Sequence, residues 1–146
     1  MALRNSAANY DYTNSISYSV DSGSVSTTSG SFTSLGGPTA SIVVPKSGKV
    51  LVELYAIIGQ TTQGNSGRSA VEYSGAYVSS ASDSYAINYN SSGTSPGNGN
   101  TACLTKRVIT GLTPGETLTG EMKYARVSSG TGHFKQRIIV MRALPE

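Results

Sequence analysis

The stretch Glu116-Thr-Leu-Thr-Gly-Glu-Met-Lys-Tyr-Ala-Arg-Val127, followed by the turn Ser128-Ser-Gly-Thr-Gly132 and the run His133-Phe-Lys-Gln-Arg-Ile-Ile-Val-Met-Arg-Ala-Leu144, decides the fold. In the first run Leu118, Met122 and Tyr124 fall on one side of an extended chain, with Thr119, Glu121 and Lys123 on the other. In the second, Phe134, Ile138 and Val140 alternate against Lys135, Arg137 and Ile139. A period of two places an apolar side on a core and a polar side in water, the signature of half-buried antiparallel strands.

Working back from this pair, short strands recur between turn signals. Ser31–Leu35 ends at Gly36-Gly37-Pro38, Thr39–Pro45 ends at Lys46-Ser47-Gly48, and Lys49–Ile58 runs into a polar loop. Ser69–Val78, Ser84–Asn90 and Thr101–Ile109 follow, and Gly111-Leu-Thr-Pro-Gly115 turns the chain into the decisive stretch. That makes eight strands after residue 31. No window shows an uninterrupted helical apolar stripe, so the fold class is all-β: an antiparallel two-sheet sandwich, jelly-roll-like, with an extended N-terminal arm.

Composition sets the limits on this core. The 146 residues suffice for one domain. Leu, Ile, Val and Phe number only 29, a level near that of disordered chains, but the net charge of +3 is too low to hold a chain open. No apolar run approaches the length of a membrane span, and the first residues lack the apolar core of an export signal. A lone cysteine, Cys103, makes no internal disulfide, so synthesis in a cytoplasm is expected.

Residues 1–31 read either as an arm or as a first strand, ahead of a sandwich domain at 32–146. Tyr10, Tyr12, Ile16, Tyr18 and Val20 all fall on even positions, so an extended chain presents one apolar face to a surface. Leu3, Tyr10, Tyr12 and Ile16 are the candidate partner-binding residues of the arm. In the Asn- and Gly-rich loop after Tyr89, Asn90, Asn98 and Asn100 are candidate exposed binding residues.

Chemistry is thin. One histidine, His133, and one cysteine leave little for nucleophilic catalysis, and no G-x-S-x-G turn is present. Glu53, Glu72, Glu116 and Glu121 supply carboxylates for glycoside cleavage, but the absence of Trp removes the best sugar platform and leaves nine tyrosines in its place. Metal ligands lack clustering, and no phosphate-binding fingerprint precedes a helix. The expectation is a non-enzymatic protein without cofactor or metal. The basic excess, Lys106, Arg107, Lys123, Arg126, Lys135, Arg137 and Arg142, lies among strand-like segments and reads as solvated faces, not as a nucleic-acid site.

The segment from Phe32 to Val52, with Leu35-Gly-Gly-Pro38 and Ile42-Val-Val-Pro-Lys-Ser-Gly48, and the segment from Ile109 through Gly111–Leu118, Lys123-Tyr124 and Ser129–Gly132 to Arg137–Val140, resemble the small β-sandwich virion proteins of tailed bacteriophages, especially phages of actinobacteria. The likeness covers about residues 25–144 and lies in turns and strand spacings. It implies a structural role as a head decoration or minor tail protein, often trimeric, with the major capsid protein or other virion proteins as partners. A capsid decoration protein that stabilises the outer head shell is the leading expectation. A tail or fibre adhesin module binding host glycan is the alternative. A fibronectin-type-III-like or other carbohydrate-binding adhesive module comes third: Gly111–Leu118 is similar to that family's turn, but Leu118 stands where its tyrosine is expected. Neither nucleic acid nor membrane is expected as a partner.

Overall fold

The chain is folded back on itself about its middle and then rolled. In a computed structural model that describes residues 15–59, 67–89, 100–127 and 130–146, nine strands form two antiparallel sheets. They are β1 (Ile16–Asp21), β2 (Val25–Thr27), β3 (Thr39–Val43), β4 (Val50–Gly59), β5 (Gly67–Gly75), β6 (Ile87–Tyr89), β7 (Asn100–Ile109), β8 (Thr117–Arg126) and β9 (Gly132–Ala143). Among the described residues a 3-10 turn, Asp83–Tyr85, precedes β6.

The pairing is nested. β5 pairs with β6, β4 with β7, β3 with β8, and β1 and β2 both with β9. The numbers of facing residues add to between 156 and 160 in all of these pairs, as in Gly67 with Tyr89 and Thr39 with Glu121. Rolling this ribbon adds the pairs β4–β9 and β5–β8 and gives two sheets, β1-β9-β4-β7 with β2 on β9, and β3-β8-β5-β6. This is jelly-roll connectivity, as the strand pattern predicts.

Between the sheets lie the even-numbered residues of β4, Val50 to Ile58, against Leu118, Met122 and Tyr124 of β8, Val71 and Tyr73 of β5, and Phe134, Ile139 and Met141 of β9. Tyr124 and Phe134 meet with ring centroids 4.8 Å apart. Close packing leaves no room at Gly120, where a β-carbon would lie 2.6 Å from Met141 Cε and 2.8 Å from Val71 Cγ1. The turns read at 46–48 and 111–115 close one end together: Leu112 N–H donates to the Gly48 carbonyl, and Leu112 is buried.

Two expectations are corrected. Ser31–Leu35 is not a strand; it contributes one bridge, Thr33 to Tyr124, before Gly36 and Gly37, both at positive φ, turn the chain into β3. The alternation in β9 also changes phase. Lys135 and Gln136 are both exposed, Gln136 has φ 44°, and the register with β4 slips between Tyr55 and Ile57. This bulge turns Arg137, Ile139 and Met141 into the core and Ile138 and Val140 outward, the reverse of the simple reading.

Arg137, expected on a solvated face, is only 1% exposed. Its guanidinium meets Asp21 at 2.5 Å, donates to the Gly37 carbonyl at 2.9 Å and lies 5.5 Å from the centre of the Tyr124 ring. The Tyr124 hydroxyl donates to the same carbonyl at 2.7 Å. Burial pushes the Tyr124 pKa up to about 12 against the opposing pull of Arg137, so the phenol stays protonated as this network requires.

Candidate partner-binding face

β1 is built inside out. Its serines and Asp21 are partly covered, while Ile16, Tyr18 and Val20 are 55%, 70% and 56% exposed. Cross-strand register carries these three into rows spanning the whole sheet. Val20 faces Ile138, which faces Tyr55, which faces Leu104. Two residues along, the row is Tyr18, Val140, Glu53 and Lys106; the next is Ile16, Arg142, Leu51 and Val108. Nine of these twelve positions are apolar or aromatic. Glu53 is tied to Arg142 at 3.2 Å, so its charge is already matched.

With strands about 4.8 Å apart and rows about 6.8 Å apart, the face covers on the order of 400 Å², the size at which apolar patches on single chains become binding surfaces. The sequence signals it in one way. Val50–Ile58 and Ile138–Met141 are nearly continuous apolar runs, and such runs belong to strands covered on both faces. Inner residues meet the opposite sheet; outer ones have no covering element among the described residues.

Ile16 is thus an exposed member of the face. Asn100 begins β7, exposed and opposite Gly59. Leu3, Tyr10, Tyr12, Asn90 and Asn98 lie outside the described residues. Ile138 and Val140 belong to this face although simple alternation assigns them to the core, and Tyr55, Leu104 and Val108 join it only through cross-strand register.

The other chemical candidates serve structure. Glu72 and Glu121 are cross-strand neighbours on the outer face of the second sheet, but the Lys123 ammonium contacts both, at 3.5 and 2.9 Å. Ser34 donates to Glu121 at 2.5 Å, and this bond, aided by Lys123 against the effect of burial, holds the Glu121 pKa below its ordinary value. A general acid in a glycosidase needs the opposite shift. Burial raises the Cys103 thiol pKa, away from nucleophilic use. Among the described residues no three His, Cys, Asp or Glu gather to hold a metal. Arg107 sits between the sheets, its guanidinium 3.9 Å from the Tyr85 ring centre and 5.3 Å from that of Tyr77, whose hydroxyl accepts from Nη2 at 3.0 Å. It plugs the gap where β7 faces the segment before β6.

No family model and no curated protein matches this chain. Among solved structures, the tripod (BppUct-A-L) from the baseplate of bacteriophage Tuc2009 is similar at 15% identity and a TM-score of 0.47, over 94% of this chain and 68% of that one.

Proposed function

We propose that this chain is a non-enzymatic structural protein of a bacteriophage virion, a decoration protein of the outer head shell that docks through the outer face of the β1-β9-β4-β7 sheet. The observation that supports it is the apolar row Val20–Ile138–Tyr55–Leu104 with its flanking rows, a surface suited to burial against another protein. The turn and strand pattern that resembles phage virion proteins supports the setting. Trimerisation is part of the proposal, because sister copies bound to a repeating shell gain avidity without new contacts.

The arm residues Leu3, Tyr10 and Tyr12 precede the exposed side of β1 and are proposed to extend its contact with the neighbouring protein. A truncation that probes them has to stop before Ser15, because Ile16–Asp21 is paired along its whole length with β9. Gold-conjugated antibody against this chain, imaged on the parent virion, tests the reading. Label over the head supports it; label at the tail replaces it with the tail-adhesin reading; particles lacking the chain refute both.

A further inference from the structure

We propose that the groove on the outer side of the β3-β8-β5-β6 sheet is a binding site for a neutral saccharide. This site is separate from the apolar docking face and lies on the opposite side of the sandwich. It therefore stays accessible when that face is buried, whatever the virion position.

The groove is open to solvent and offers about 520 Å³ between two banks, residues 30–32 on one side and 80–83 on the other. Arg68 spans its floor and fixes both. Its Nη1 contacts both Asp83 carboxylate oxygens at 2.6 Å, its Nη2 donates to the Gly30 carbonyl at 2.6 Å, and its guanidinium lies 5.0 Å from the centre of the Phe32 ring. The width is thus held by strong, charge-assisted bonds before any ligand arrives, which lowers the ordering cost of binding.

The lining selects the ligand by chemistry. Asp83 and Glu72 keep 61% and 49% of their side chains exposed, and each offers acceptors to a hydroxyl donor. Ser31, Ser80 and Ser82 line the same space, and the Ser82 hydroxyl is not spent on capping the adjacent 3-10 turn. Phe32 adds the one aromatic surface. Arg68 is committed to Asp83, and Glu72 is already contacted by Lys123 at 3.5 Å, so the lining offers no uncommitted cation to draw a phosphate or another carboxylate. An apolar ligand would strand the polar lining without partners. A neutral polyol with alternating hydroxyl and C–H surfaces satisfies both the acceptors and the ring. The volume falls within the roughly 300–1,000 Å³ of small-molecule sites. So open and polar a groove points to a dissociation constant of roughly millimolar for one copy, raised in effect by many copies on one particle.

The test is a titration of the isotope-labelled full chain, followed by amide resonances, with glucose, galactose, rhamnose and N-acetylglucosamine, and with inorganic phosphate in parallel. At least one sugar should shift the amides of residues 30–32 and 80–83 to saturation, and phosphate should not. Glu72→Gln and Phe32→Ala, each checked for a native spectrum, should weaken that sugar about tenfold, equivalent to about 1.4 kcal/mol. Saturation by phosphate in place of sugar, absence of sugar shifts in the wild-type chain, or undiminished sugar binding by Glu72→Gln overturns the assignment.

Discussion

Removing the carboxylate charge of Asp21 tests whether the sequence-distant ends of this fold are locked by a buried ion pair. In Asp21→Asn the Arg137 guanidinium, 1% exposed, keeps the Gly37 carbonyl at 2.9 Å and the Tyr124 hydroxyl at 3.3 Å but loses the carboxylate it is paired with among the described residues. Its Nε already lacks a partner among the described residues, so the charge has little else to rely on. Breaking a fully buried pair costs about 3–5 kcal/mol. The Asp21 side chain is 35% exposed, so water recovers part of that and about 2–3 kcal/mol is expected. For a domain near this size the loss lowers Tm by about 5–10 °C, read by circular dichroism. Most of the deficit should persist in high salt, because the Arg137 end of the pair is buried and poorly screened. Adding Arg137→Met should recover about 1 kcal/mol or more, since it removes the stranded charge. A Tm within about 2 °C of wild type for Asp21→Asn, or a double variant no more stable than the single, would refute the reasoning.

Gly120→Ala forces a β-carbon against Met141 and Val71 and should cost about 1–3 kcal/mol by denaturant unfolding, with the strand content unchanged. Leu104→Glu, at a position 65% exposed, should change stability by under about 0.5 kcal/mol while abolishing incorporation into particles, measured by denaturant unfolding and by quantifying the chain in purified virions. Because the folded-state pKa of Glu121 is depressed, its contribution is present above the unfolded glutamate pKa and is lost as pH falls through the lower folded value. Ser34→Ala should move that loss to higher pH, should lower stability at neutral pH by at most about 1 kcal/mol for so exposed a pair, and should raise the Glu121 pKa seen by carboxyl resonances.

Most of the architecture was legible because alternation and turns are local. Leu118, Met122 and Tyr124 do share the core side, and the turns at 46–48 and 111–115 sit where Gly and Pro place them. Two things were not local. A bulge that puts Lys135 and Gln136 together in solvent depends on the partner strand, so the side taken by Arg137 could not follow from counting alone. Ser31–Leu35 has the residues of a strand but is cut off by Gly36 and Gly37 after one bridge. The candidate face was half legible. The even-numbered apolar residues of β1 indicated an outward surface, whereas its continuation through Ile138, Tyr55 and Leu104 required register. The saccharide groove joins segments from three parts of the chain through Arg68, and no spacing in the sequence announces it.

The nested pairing also dictates how the chain has to find its native state. Gly67 needs only to meet Tyr89 across a short excursion, whereas Ile16 has to find Arg142. The cheapest closure is therefore the innermost, yet β6 is three residues long and offers that closure little reward. A stable nucleus has to wait for the long strands β4, β7, β8 and β9, which meet only across large separations. Folding should accordingly be slow for a domain of this size, with the β1 edge zipping on last. During that interval the apolar outer rows of β4 and β9 and the unpaired edge of β9 are exposed together, the conditions under which newly made chains aggregate.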